Sequence, residues 1–330
     1  MTILQVGSSG DEVTQVQRFL ADSSGKFYTG TIDGVFGNGT KAAVMAYQSS
    51  VGLTADGIVG PQTWDAMFPP SGGTTAAPAA AAAPSPALAA QPLAWRCLAL
   101  TGSIETSLPV PGCFSGLSGN FDGQGISFGA IQWALGQGSL QPLFQDMCSQ
   151  HGDVVDTVFG SNAATFRQVF TQSDRTAQMA WATGIQQNNQ VQDPWKSQLK
   201  ALGATPECQA LQVTMAQARY NSGLALCREY GVVSERAAAL MFDIMVQNGS
   251  ISSTTKAEIE SDFAALGPSA DETAKLEVIA RRRAAACNPQ WQQDVLSRKM
   301  MIAQGQGTVH GSHYDLATQY AITLNRAEGL

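Results

Sequence analysis

The sequence of 330 residues predicts a mainly α-helical protein, in which a small three-helix module precedes a larger, mostly helical α+β domain with one small β-hairpin region. Apolar residues recur at helical spacing through most of the chain. Residues 71–92 consist almost wholly of Ala, Pro, Gly, Ser and Thr and separate two parts of unequal length. Residues 109–132 are rich in Gly and Pro instead, which indicates turns and short strands.

The composition excludes several classes of protein. The net charge of −7 gives no basic excess of the kind that nucleic-acid binding needs. An unbroken apolar run of roughly 20 residues, the length of a membrane span, is absent, so we expect no membrane insertion. Residues 1–10 lack the basic start and apolar stretch of a secretory signal, so we expect synthesis in the cytoplasm without a signal peptide.

The segment 71–92 predicts a linker, because such residues cannot bury enough apolar surface to fold and form a semi-extended tether. We therefore expect domains at 1–70 and 93–330. All six cysteines lie in the larger domain and none forms a C-x-x-C pair, which argues against a zinc or redox motif. An even number of cysteines would permit disulfides in an oxidising compartment, but synthesis without a signal peptide favours free, mostly buried thiols. We also expect a monomeric chain.

The small domain contains an internal repeat. The segment IDGVFG, at residues 32–37, returns as ADGIVG at 55–60, and each copy precedes a predicted helix. Asp-Gly pairs form tight turns, and Pro61 suits the first position of a helix. A further helix is predicted from Asp11 to Leu20, with apolar residues on one face.

These motifs resemble the type 1 peptidoglycan-binding domain over residues 4–67. The resemblance implies a three-helix fold that docks on wall peptide or glycan. We interpret the Asp-Gly turns themselves as folding elements, and we expect binding on the surface that these turns shape.

In the larger domain, the apolar periodicity predicts helices over Gln209–Tyr230, Glu235–Gln247, Asp271–Ala286 and Gln290–Ala303. Ser234 is predicted as the N-cap of the second of these. Only residues 109–132 are predicted to be extended.

Glu105 and Asp122 form a candidate pair for glycoside hydrolysis, which needs one protonated and one ionised carboxyl group. Glu105 ends an apolar, predicted helical segment, which suits a group that must hold a proton. Asp122 lies in the polar turn NFDGQG, where a carboxylate stays charged.

The stretches SIETS and FDGQGISFGAIQW resemble the catalytic core of glycoside hydrolase family 46 chitosanases, which belong to the lysozyme superfamily. The resemblance implies a lysozyme-like fold, Glu105 as general acid, Asp122 as base, and a hydroxyl at Ser127 that helps to hold the water. It also implies a buried ionic network that includes Asp243 and Arg298.

The sequence departs from this family at Gln124, where the family has Arg, and at Asn248, where it has His. Phe128, Gln132 and Trp133 flank the predicted site and are candidates for substrate binding. Aromatic residues beside a hairpin more often belong to the core, and Trp133 is the better candidate of the two for an exception. His310 and His313 lack a recognisable third ligand, so we predict no metal site and no cofactor.

Together the two resemblances imply an endolysin that binds peptidoglycan glycan strands and cleaves a β-1,4 bond with inversion, most simply as a muramidase. A holin or a secretion machine would deliver it to the wall. A lytic transglycosylase, a chitosanase with a wall-binding module, and an inactive wall-binding protein are the alternatives.

Overall fold

The structure, a computed structural model, describes residues 4–22, 27–51, 53, 55–68 and 85–330. Contacts divide the chain into two compact units, residues 1–80 and 81–330. The predicted linker lies outside the described residues up to position 84. Its last part is structured: Pro86–Ala89 forms a short helix, and Leu88 packs against the core of the larger unit.

The small unit contains three helices: α1 Asp11–Asp22, α2 Asn38–Ser50 and α3 Pro61–Met67. They enclose a core that includes Val16, Phe36, Val44 and Val59, all fully buried. The three predicted helices are therefore present, and α2 begins at Asn38, directly after the first copy of the repeat.

Two buried glutamines hold the repeated Asp-Gly turns. The Gln17 side-chain amide donates to Asp33 Oδ1 at 2.9 Å, and its Oε1 accepts from the Gly34 amide at 2.9 Å. Gln48 makes the matching bonds in the second turn at 2.7 and 2.9 Å. Gly34 has a φ of 71°, a conformation that glycine adopts without strain. The turns thus have the folding role that the repeat predicted.

The larger unit is built mostly from helices. Their bounds are α4 Pro86–Ala89, α5 Leu93–Thr106, α6 Gln141–Gln150, α7 Gly152–Phe159, α8 Ala163–Arg167, α9 Arg175–Gly184, α10 Trp195–Ala204, α11 Pro206–Tyr230, α12 Glu235–Gln247, α13 Ser253–Leu266, α14 Glu272–Ala285, α15 Gln292–Gln304 and α16 Leu316–Tyr320. Short 3-10 turns lie at Gly112–Ser115, Gly160–Asn162 and Pro289–Trp291, and a π-helical turn at Gln168–Gln172.

The four predicted helices of this unit are present, and their ends follow the capping residues. α12 has the predicted bounds, and the hydroxyl of its N-cap Ser234 accepts from the Ala237 amide at 3.0 Å. α11 begins three residues earlier than predicted, because Thr205 caps it. Asp271 is the N-cap of α14 rather than its first residue. α15 begins only at Gln292, after a 3-10 turn.

The predicted β-region is a three-stranded antiparallel sheet of β1 Leu117–Ser118, β2 Ser127–Phe128 and β3 Trp133–Ala134, in that order. Two further hairpins correct the expectation of a single extended region. They are β4 Gln186–Gln187 with β5 Gln190–Val191, and β6 Gln306–Val309 with β7 Ser312–Asp315. Strands this short carry too little alternation to stand out in a sequence.

The larger unit has two hydrophobic clusters. One is formed mainly by α5 and α11–α15, and the other by β2, β3 and α6–α10. The 25-residue helix α11 contributes to both, with Leu211 in the second cluster and Leu224 in the first. The fold class is thus mainly α, as predicted. Among the described residues, no helix is both long and apolar enough to span a bilayer.

Candidate active site

Glu105 lies in the last turn of α5, which buries ten residues in succession before it. The helix ends directly after it, where Ser107 takes a left-handed conformation with a φ of 55°. The Glu105 side chain keeps 30% of its surface exposed. The helix therefore presents this carboxyl group at the boundary between core and solvent.

A buried ionic network supports Glu105 from behind. Arg298 Nη1 lies 2.7 Å from Glu105 Oε1, and Arg298 Nη2 lies 2.6 Å from Asp243 Oδ1. Asp243 also pairs with Lys299 and accepts a 2.9 Å hydrogen bond from the Thr101 hydroxyl. The pair predicted between Asp243 and Arg298 is present, and Lys299 and Thr101 complete it.

The charges of this network stabilise each other. Burial raises the pKa of Asp243, but Arg298 and Lys299 outweigh it and hold that pKa well below its usual range. Burial lowers the pKa of Lys299 to about 8, although Asp243 acts in the opposite direction. Two cations and two carboxyl groups thus share one site, and the Arg298 guanidinium fixes the position of Glu105.

The environment of Glu105 differs from the apolar one that its sequence neighbours suggested. Those neighbours, such as Leu100 and Ile104, are buried in the core, but the carboxyl group itself contacts a guanidinium. The contact comes from α15, far away in the sequence, so the neighbours along the chain did not indicate it.

Asp122 lies in the loop that joins β1 to β2, and its side chain is exposed. Its Oδ1 accepts a 3.1 Å hydrogen bond from the Gln124 amide, which fixes the carboxylate within the turn. Gln186 holds the loop in place: its Oε1 accepts from the Asn120 amide at 2.8 Å, and its Nε2 donates to the Gly125 carbonyl at 3.0 Å. Asp122 is therefore a solvated carboxylate on an anchored loop.

The short sheet lies beside the end of α5 and is continuous with the loop that carries Asp122. Ser127 begins β2 at the end of the Asp122 loop and pairs with Ser118 across the sheet. Gln132 Oε1 accepts from the Ser118 hydroxyl at 2.7 Å. A Cβ added at Gly116 would contact both Gln132 and Thr106, the residue after Glu105. The end of α5, Gln132 and the Ser118–Ser127 pair are thus neighbours.

The predicted role of Phe128 and Trp133 in substrate binding is corrected by their burial. Phe128 is fully buried and packs on Phe144, with ring centroids 5.2 Å apart. Trp133 is 4% exposed and belongs to the same cluster. Side chains with so little exposed surface cannot stack on a sugar ring. Gln132 remains a candidate, because it is partly exposed beside the Ser118 hydroxyl.

Three buried or partly buried residues of the site were not predicted. Lys299 follows Arg298 directly, which is typical of a solvated basic pair rather than of a core residue. Gln186 and Gln212 anchor the sheet region, and Gln212 accepts from the Ala130 amide at 2.9 Å. Glutamines in helical and loop sequences carry no pattern that distinguishes an internal hydrogen-bonding role from a surface position.

The predicted absence of a metal site rested on His310 and His313. The structure places His310 Nε2 at 2.6 Å from Asp294 Oδ1, in an exposed pair. Within the described part of the chain, no group of three or more His, Cys, Asp or Glu side chains could hold a metal ion. All six cysteines are free thiols, four of them buried.

Comparisons with known proteins concern mainly the small unit. The zinc D-Ala-D-Ala carboxypeptidase of Streptomyces albus G is 48% identical over 65 residues, which are 20% of this chain and 26% of that protein. A spore cortex-lytic enzyme of Bacillus cereus is 43% identical over 61 residues, which are 18% of this chain and 23% of that enzyme. The chain thus spans about a quarter of the length of these relatives.

A solved chitosanase complex is 18% identical, with a TM-score of 0.44, and covers 67% of this chain and 95% of that one. The family model of the peptidoglycan binding domain matches residues 9–67. This is the segment in which the repeated Asp-Gly motifs predicted such a domain. The prediction of an N-terminal peptidoglycan binding domain is therefore confirmed for residues 9–67.

Proposed function

We propose that the chain is a peptidoglycan hydrolase, in which the small unit binds the bacterial cell wall and the larger unit cleaves a β-1,4 glycosidic bond of the glycan strand. The observation that carries the catalytic part is the position of Glu105, a partly exposed carboxyl group held by the buried Arg298. The match of residues 9–67 to a peptidoglycan binding domain supports the choice of polymer.

In the proposed reaction, Glu105 donates a proton to the glycosidic oxygen of the leaving sugar. Asp122, as a solvated carboxylate, accepts a proton from a water molecule that attacks the anomeric carbon from the opposite face. The Ser127 hydroxyl helps to hold that water. This arrangement gives inversion of configuration. Muramidase cleavage is the preferred bond specificity, and Gln132 is the candidate for substrate contact.

The catalytic assignment is tested by Glu105→Gln, which keeps an acceptor for Arg298 but removes the transferable proton. Because general acid catalysis contributes about 10²–10⁴-fold, we expect the rate of sacculus digestion to fall by that order. Glu260→Gln, at an exposed position on α13, is the matched control and is expected to digest like the wild type. Full activity in a folded Glu105→Gln variant would refute the assignment.

Asp122→Asn and the reaction products distinguish hydrolysis from the transglycosylase alternative. A hydrolase yields ordinary reducing ends and loses most of its rate without Asp122. A lytic transglycosylase yields anhydro-sugar ends and needs no water-activating base, so Asp122→Asn would reduce its rate only slightly. Mass spectrometry of the digested wall separates the two, and anhydro ends would overturn only the hydrolytic step.

Wall binding by the small unit is tested with residues 1–70, which contain its complete described core. This fragment is expected to sediment with purified sacculi. If it stays in the supernatant, the assignment of wall binding to this unit is wrong, whatever the larger unit does.

A further inference from the structure

A cavity of about 300 Å³ lies directly beside the loop that carries Asp122. Its walls are formed by strand β1, by the β4–β5 hairpin and by helix α10, and they include Ser118, Phe121, Asn189, Lys196 and Lys200. Phe121 immediately precedes Asp122, and Ser118 is paired with Ser127. Whatever occupies this cavity is therefore in contact with the same loop and sheet as the proposed base.

Two lysines give the cavity a positive wall. Lys196 and Lys200 are one helical turn apart on α10, so that their side chains lie on the same face. Both are exposed, and neither takes part in any of the ion pairs found among the described residues. The wall that they form is therefore locally positive, although the net charge of the chain is −7.

Asp193 is the acidic group nearest to these lysines in the sequence, and it is already engaged. Its Oδ1 accepts hydrogen bonds from the Ser197 amide at 3.0 Å and from the Ser197 hydroxyl. These bonds, followed by the charges of Lys196 and Lys200, lower the pKa of Asp193. Asp193 thus stabilises the first turn of α10 by accepting these hydrogen bonds. Its negative charge acts on the two lysines through space rather than by direct contact.

The other surfaces of the cavity suit a sugar. Phe121 is 71% exposed, so the face of its ring is available to pack against a sugar ring. Asn189 adds polar backbone and amide groups at the tip of the hairpin. An apolar ring, amide groups and two cations together match a sugar that bears a carboxylate.

We propose that this cavity binds a carboxylate of the wall polymer next to the cleaved bond, with Lys196 and Lys200 as its partners. The proposal rests on the proposed function and specifies its substrate class. A chitosan strand carries amines that the lysines repel, and a chitin strand carries no charge. Peptidoglycan supplies carboxylates from its stem peptides, or from the lactyl group of muramic acid where the stem has been removed.

The test measures binding of soluble disaccharides to the full chain in a Glu105→Gln background, so that no bond is cut. The probes are a disaccharide tetrapeptide, the same disaccharide with a free lactyl carboxylate, and the neutral di-N-acetylchitobiose. The variant Lys196→Gln/Lys200→Gln is compared with Lys256→Gln/Lys275→Gln, which changes the net charge equally on α13 and α14.

We expect the Lys196/Lys200 variant to bind the carboxylate probes about tenfold more weakly, because charge-assisted hydrogen bonds are lost, and to bind chitobiose unchanged. The control pair is expected to leave all three affinities as they are. An effect confined to the tetrapeptide probe identifies the stem peptide as the source, and an effect confined to the lactyl probe identifies muramic acid.

Equal affinity of the two lysine variants for both carboxylate probes would overturn the proposal. This outcome is independent of catalysis, since the wild type would still digest sacculi if the proposed function is correct. Conversely, a wild type that leaves sacculi intact refutes the hydrolase assignment, while the binding measurement still decides the role of the lysines.

Discussion

Asp243 is the shared partner of Arg298, Lys299 and Thr101, and its side chain has no exposed surface. Replacing it by Asn leaves the buried Lys299 without its counter-ion and leaves Arg298 with Glu105 as its carboxylate partner. Breaking a buried ion pair in this way typically costs about 3–5 kcal/mol. We therefore expect Asp243→Asn to lower the free energy of unfolding by about that amount, as measured by urea denaturation.

A matched surface pair provides the control for this prediction. Asp156 pairs with Arg167 at 2.6 Å, but 62% of the Asp156 side chain is exposed. Water and salt screen such a pair, so Asp156→Asn is expected to change the urea midpoint little. Similar losses in both variants would show that burial is not what makes the Asp243 network important.

The same carboxylate predicts how stability depends on pH. The pKa of Asp243 is held below its ordinary value of 3.8 in the folded chain, so on acidification the unfolded chain takes up this proton first. Its stabilisation is complete above that value and is lost as the pH falls below it. Between pH 5 and pH 3, the urea midpoint should therefore fall further for the wild type than for Asp243→Asn. Parallel profiles would contradict this.

For single residues, the sequence predicted the chemical role of a side chain better than its burial and its contacts. Asp243 and Arg298 were identified through a family resemblance, and their contact is present. For Phe128 and Trp133, the sequence left both a core position and a sugar-stacking position open, because their burial depends on the packing of α6–α10 against the sheet. Contacts made by distant parts of the chain decide the exposure of a side chain, and local sequence does not encode them.

The β4–β5 hairpin is the element that positions the Asp122 loop. A Cβ at Gly119 would overlap the carbonyl oxygen of Asn189 at the tip of this hairpin. Gly119→Ala must therefore push the hairpin and the loop apart, which disturbs the Gln186 hydrogen bonds. Because small misplacements of catalytic groups are costly, we expect about a 10²-fold loss in the rate of sacculus digestion with helicity unchanged.

Gly184 gives the matched substitution for this test. It lies at the end of α9, where an added Cβ meets nothing within 4 Å. Gly184→Ala is therefore expected to retain the wild-type rate. If Gly119→Ala digests sacculi equally fast, the hairpin does not position the loop in the way described.

Elements differ in how well the sequence predicted them. Both ends of α12 were predicted correctly, because 13 residues of regular periodicity and a serine cap define where the helix begins and ends. The hairpin β4–β5 was missed, because each of its strands has two residues. This hairpin is stabilised by packing and by the hydrogen bonds of Gln186. The element that anchors the site was therefore the one that the sequence indicated least.

At the scale of the whole molecule, the two units have separate hydrophobic cores. We expect two transitions in calorimetry of the full chain. Gln48→Leu removes the buried amide that holds the second Asp-Gly turn, and each buried group left unpaired costs about 1–3 kcal/mol. The variant should therefore lower one transition temperature and leave the other in place. A common shift of both would show that the units unfold together.

Helix α11 connects the two hydrophobic clusters of the larger unit and makes the spacing between them rigid. Its 25 residues give a length of about 37 Å at the usual rise per residue. It is one uninterrupted rod that is fixed in both hydrophobic clusters, through Leu211 at one end and Leu224 towards the other. Its proline lies in the first turn, where it causes no kink. α11 therefore acts as a rigid spacer, and it fixes the distance between the two hydrophobic clusters of the larger unit.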